Sequence, residues 1–108
     1  MRGGPATGHC RPVVRSYLVE SYWPGLTEAA FTDGAGRAVA AAQQLRATGH
    51  AVEFLGCVLI PDDEVAFWRF ASDSRAGVEE VSARAGLPYN RISESVEVSA
   101  ATALPPTR

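Results

Sequence analysis

Ala51-Val52-Glu53-Phe54-Leu55-Gly56-Cys57-Val58-Leu59-Ile60-Pro61-Asp62-Asp63-Glu64-Val65-Ala66-Phe67-Trp68-Arg69-Phe70-Ala71 is the stretch on which the fold turns. Two runs rich in β-branched and aromatic residues flank a short Pro-Asp-Asp-Glu segment. Such runs read as strands, over 51–60 and 65–71. The brevity of the connection makes them a hairpin. The first run is almost continuously apolar, which predicts burial on both faces.

Helical patterns lie on either side of this hairpin. Upstream, Thr27 reads as an N-cap, with Glu28 in the first turn. Phe31, Ala35, Ala38, Ala42 and Leu45 then recur at spacings of four and three, and Gly49 closes the helix. Downstream, Ser72 or Asp73 caps a second helix. Its stripe is Val78, Val81 and Ala85, and Gly86 with Pro88 stops it. The outermost segments are again strands. Residues 13–23 run into Pro24-Gly25. In residues 91–99, Ile92, Glu94, Val96 and Val98 alternate with Ser93, Ser95, Glu97 and Ser99, as on an edge strand. The order is β-α-β-β-α-β, an α+β ferredoxin-like pattern. It predicts a four-stranded antiparallel sheet with both helices on one face. The domain spans residues 13–99. Residues 1–12 and 100–108, rich in Gly and Pro or carrying Pro105-Pro106, read as flexible arms.

Composition narrows the function classes. The chain has 108 residues, room for one domain, with 46% hydrophobic and 20% charged residues. Its formal net charge is -2, and every cation other than histidine is an arginine. Nucleic-acid binding would need clustered cations to displace phosphate counterions. No segment reaches the roughly 20 apolar residues of a membrane span. The N-terminal residues lack an apolar signal region, so the expected location is the cytoplasm. Cys10 and Cys57 are too few and too far apart for a zinc motif.

Two helices on one face leave the other bare, and an apolar bare face needs a partner or a ligand. Period-two arithmetic divides each strand into two sets, and the helix-facing set cannot easily hold unpaired charge. Glu20, Glu53 and Arg69 are therefore assigned to the bare face, together with Leu18, Tyr22, Leu55, Cys57 and Phe67. Glu20 and Arg69 fall on neighbouring strands and are expected to pair. Glu20, Tyr22, Cys57, Phe67 and Arg69 are the candidate ligand-binding residues.

Three segments carry a resemblance. They are Leu18-Val19-Glu20-Ser21-Tyr22-Trp23-Pro24-Gly25-Leu26-Thr27, Pro61-Asp62-Asp63, and Ala85-Gly86-Leu87-Pro88-Tyr89-Asn90-Arg91-Ile92. Together they resemble a family of small bacterial ferredoxin-like domains, mostly of unknown function. Its best-described branch is a nickel-binding, nickel-responsive dimeric protein. The resemblance implies a ferredoxin-like fold, a homodimer, and nickel or another divalent transition metal as the candidate cofactor. The histidine-rich first strand expected of that branch is replaced here by Leu18, Glu20 and Ser21. Glu20 and His50 are left as the candidate metal ligands.

Other signals have plainer readings. His9-Cys10 is an ordinary tail pair, and Cys57 a packed strand residue. His50 follows the helix exit, where helix C-terminal carbonyls attract a cation. The glycines of Asp33-Gly34-Ala35-Gly36-Arg37 fall inside a helical stripe, so they loosen the helix or allow close packing and do not cradle phosphate. The expected function is a small dimeric binding protein with a small ligand or metal ion at the open sheet face. The alternative is a cofactor-independent dimeric α+β barrel enzyme, an isomerase or monooxygenase acting on a hydrophobic metabolite. A third class is a module with a partner surface alone.

Overall fold

A computed structural model of the chain describes residues 13–103. The residues read as flexible arms at 1–12 and 104–108, with His9 and Cys10, lie outside the described residues. Four strands and two long helices follow in the order β1 (Arg15–Tyr22), α1 (Glu28–Ala47), β2 (Val52–Ile60), β3 (Val65–Ser72), α2 (Arg75–Arg84) and β4 (Arg91–Ser95). A single 3-10 turn, Pro61–Asp63, joins β2 to β3, and a short helix α3 (Ala100–Ala103) follows β4. All pairings are antiparallel, in the order β2-β3-β1-β4. The architecture is α+β. No described helix is long and apolar enough to cross a membrane.

Local chemistry accounts for the boundaries. Thr27 caps α1 by accepting a hydrogen bond from the Ala30 N–H. The cap of α2 is Ser74, one or two residues later than expected, and its hydroxyl accepts from the Gly77 N–H at 3.0 Å. Ser72 stays in β3 instead and ties its hydroxyl to the Ser74 carbonyl. Three arginines strut the layers through backbone carbonyls. Arg37 of α1 donates to the Ala85 carbonyl at the end of α2, Arg46 to Val52, and Arg75 to Ile92. These bonds satisfy carbonyls that helix and strand ends leave open.

Alternation along β1 and β3 sends Tyr17, Val19 and Ser21, and Ala66, Trp68, Phe70 and Ser72, toward the helices. There they meet Ala38, Ala41, Ala42 and Leu45 of α1 and Val78 and Val81 of α2. Trp68 sits at the centre, fully buried. Its indole N–H donates to Ser21 Oγ at 2.9 Å, and that hydroxyl donates to the Pro88 carbonyl. Phe31 tilts against the same indole with ring centroids 5.2 Å apart. Gly34 is the contact point with α1: a Cβ there would lie 2.9 Å from Trp68 Cη2. Gly36 has nothing within 4 Å of an added Cβ. Of the two glycines in the helical stripe, only Gly34 serves close packing.

Three expectations need correction. The apolar run of β2 is not covered on both faces, because the helices pack on only one: Leu55, Val58 and Ile60 are exposed. β4 stops at Ser95, not at residue 99, and its last pair with β1 is Ser16↔Ser95. Val96 and Val98 therefore leave the sheet and are exposed. Part of the stretch read as an unstructured tail, Ala100–Ala103, is helical.

The Trp68 seat yields two stability tests by urea denaturation. Gly34→Ala is expected to cost about 1–3 kcal/mol through overpacking, while Gly36→Ala gains about 0.5–1 kcal/mol of helix propensity. Ser21→Ala, which leaves the buried indole N–H and the Pro88 carbonyl without their partner, is expected to cost about 1–3 kcal/mol.

Candidate functional site on the open sheet face

The face opposite the helices is best followed as rows across the strands, because directly paired residues share a face. Tyr22, Val65 and Ile60 form one row, and Arg91, Glu20, Phe67 and Val58 the next. Ser93, Leu18, Arg69 and Gly56 follow, then Ser95, Ser16, Ala71 and Glu53. The first two rows hold most of the apolar surface: Tyr22 is 54%, Val58 51% and Ile60 38% exposed. Phe67 and Leu18 are half-buried beside them.

The parity reading of β1 and β3 is met. Glu20, Tyr22, Phe67 and Arg69 all lie on this face. In β2 it breaks. The register shifts between Phe54 and Gly56, so one extra residue, Leu55, stands against β3. Such a bulge inverts the side-chain alternation beyond it. Cys57 consequently packs against the helix-side core with Leu59, and Val58 and Ile60 take the open side. Burial pushes the Cys57 thiol up from its ordinary value, which keeps it protonated.

Gly56 at the bulge has φ 148, a region that side chains rarely enter. It also makes room: a Cβ there would lie 3.1 Å from Arg69 Nη1. The guanidinium is thus seated over β2 and β3. Its partner is not Glu20, as the strand positions predicted, but Glu97. Arg69 Nε donates to one carboxylate oxygen at 2.9 Å, and Nη2 donates to the other. Glu97 follows β4, two strands away from Arg69 in the sheet, so residues 96–98 cross the open side of β1 to reach it. The hydrogen bond from Arg69 is the main reason the Glu97 carboxyl lies below the ordinary carboxylate range, and Glu97 in turn raises Arg69. Glu20 enters no ion pair among the described residues. Its strand neighbour Arg91 is likewise unengaged.

The two candidate metal ligands are not brought together. His50 lies before Val52, beyond the row of Arg15 and Ser72. Glu20 is five residues from that row along β1, a rise of roughly 17 Å at about 3.4 Å per residue, and on the strand beyond β3. His50 instead borders an open depression with Ser74, Ala76, Gly77 and Glu80, and its backbone N–H donates to the Leu45 carbonyl. No group of three or more His, Cys, Asp or Glu side chains among the described residues is arranged to hold a metal ion. Two of the three segments that carried the family resemblance do meet, but structurally. Ser21 bonds to Pro88, and Asn90 bonds to both the Glu20 carbonyl and the Tyr22 N–H.

Comparison with solved structures finds the crystal structure of SCO4226 from Streptomyces coelicolor A3(2), with a TM-score of 0.65 and 20% identity. The match covers 79% of this chain and 99% of that one. At that identity the likeness concerns the fold alone. No family model matches the chain, and no curated protein matches it either. The resemblance to the nickel-binding branch rests on the quoted residues only.

The Arg69–Glu97 pair has a defined pH signature. The folded-state value of Glu97 lies below the unfolded one. Its stabilisation is therefore full above the ordinary carboxylate range and lost as pH falls through the depressed value. With both side chains about a third exposed (37% and 33%), the effect stays within about 1 kcal/mol. The stability difference between wild type and Glu97→Gln, measured by urea unfolding, is expected at neutral pH and should fade on acidification or in high salt.

Proposed function

We propose that this chain is a small binding protein of ferredoxin-like build whose open sheet face meets a second copy of itself. The observation that carries this reading is the exposed apolar patch of Tyr22, Val58 and Ile60 around Phe67, opposite the face that packs against the helices. Burying such a patch is favourable at roughly 25 cal/mol per Å² of apolar surface. Charge supports a copy of the same chain as the occupant. Glu20 and Arg91 are paired strand neighbours on this face, and neither forms an ion pair among the described residues. A two-fold axis near them would set each acid against the other copy's base, as self-complementary interfaces require. The helix-side core is filled by Trp68, Phe70 and Leu45, which favours binding over catalysis in a cavity beneath the sheet.

Sedimentation velocity tests this. The wild type is expected to be dimeric at micromolar concentration. Val58→Glu, which buries a charge in the contact, is expected to raise the dissociation constant by about two orders of magnitude. Gln44→Glu on the exposed side of α1 should leave it unchanged. A wild type that stays monomeric, or a Val58→Glu variant that stays dimeric, would sink the proposal.

A further inference from the structure

The seat of Arg69 is more elaborate than an ordinary surface ion pair requires. A bulge and a positive-φ glycine open β2 beneath the guanidinium. The fork that remains, Nε and Nη2, points along the open face and holds a carboxylate through both oxygens. Apolar side chains surround it: Leu18 opposite on β1, Phe67 two residues away on β3, and Val58 opposite Phe67. The carboxylate in the fork belongs to a segment outside the sheet, flanked by Val96 at 91% exposure and Val98 at 66%.

From this arrangement we infer that Arg69 is a binding site for monocarboxylates with an apolar tail, and that Glu97 is an internal stand-in that such a ligand displaces. The reading rests on the open face being a binding surface and names the ligand class for it. Planar two-point recognition of a carboxylate is what arginine does better than lysine. A partly exposed pair of this kind is weak, so a free carboxylate whose tail covers Leu18, Phe67 and Val58 can compete with the tethered one. Binding breaks the two hydrogen bonds to Glu97, forms two to the ligand, and returns the Glu97 carboxylate to water. No covalent step is involved.

Isothermal titration with octanoate tests the site, with octanol as a tail-only control. Removing the stand-in with Glu97→Gln should tighten octanoate binding on the order of two- to fivefold, the share that a weak competitor can withhold. Arg69→Met, with circular dichroism to verify folding, should abolish it. Octanol should bind wild type and Glu97→Gln alike. Octanoate affinity unchanged by Glu97→Gln overturns the inference, and so does octanoate binding that survives Arg69→Met. An equal gain for octanol also overturns it, since the variant would then merely have uncovered apolar surface. Sedimentation of the same samples separates this from the dimer. Arg69-dependent octanoate binding by a monomer sinks the dimer and leaves the site, whereas a dimer without it does the reverse.

Discussion

The Trp68 indole N–H in the middle of the core must find an acceptor where no water reaches. Ser21 of the neighbouring strand supplies it and donates its own O–H to the Pro88 carbonyl beyond α2. That two-bond relay ties β3, β1 and the α2–β4 loop together. Gly34 then lets α1 close onto the indole edge. Because the indole–hydroxyl bond is buried, it is costly to lose, and with the part-buried bond to Pro88 it holds the sheet and helices in one register. One large residue thus fixes the helix-covered face, and the opposite face is left to carry whatever the molecule binds.

The two faces also differ in how polar groups are treated. Toward the helices, polar side chains are small and mostly bonded, as with Ser21 and Ser72. Toward the open side, Glu20, Arg91 and Glu53 stand beside exposed aliphatic residues. Arginine serves both regions because its guanidinium offers several donors in a fixed plane. Arg37, Arg46 and Arg75 spend theirs on backbone carbonyls, and Arg69 spends its own on a carboxylate.

Much of the fold was legible because its signals were local. The Thr27 cap, the stripe through Leu45 and the alternation in β1 and β3 each need only a few neighbouring residues. The site was less legible, because its decisive events are non-local. Parity predicted the faces of Glu20, Tyr22, Phe67 and Arg69 correctly. It failed for Cys57, since one bulge resets every residue after it. Gly56 inside a strand was the available signal, glycine there often marking a bulge. The Glu97 pairing was hidden for a different reason. Alternation in residues 91–99 continues past Ser95, where pairing with β1 ends, and sequence periodicity does not register where pairing stops. Ser21 and Pro88, from two of the segments that carried the family resemblance, proved to be members of the relay itself.

The bulge at Leu55 has a consequence for how such a chain can change. The extra residue is absorbed where it stands: from Gly56↔Arg69 to Ile60↔Val65 every pair keeps its register with β3. Deleting Leu55 would make Phe54 and Gly56 consecutive opposite Phe70 and Arg69, and would leave Val58 and Ile60 on the open side and Cys57 and Leu59 on the helix side. What the deletion would remove is the local kink beside the Arg69 guanidinium. A single codon thus separates a kinked edge strand from a regular one, while the relay around Trp68, on other strands, is untouched.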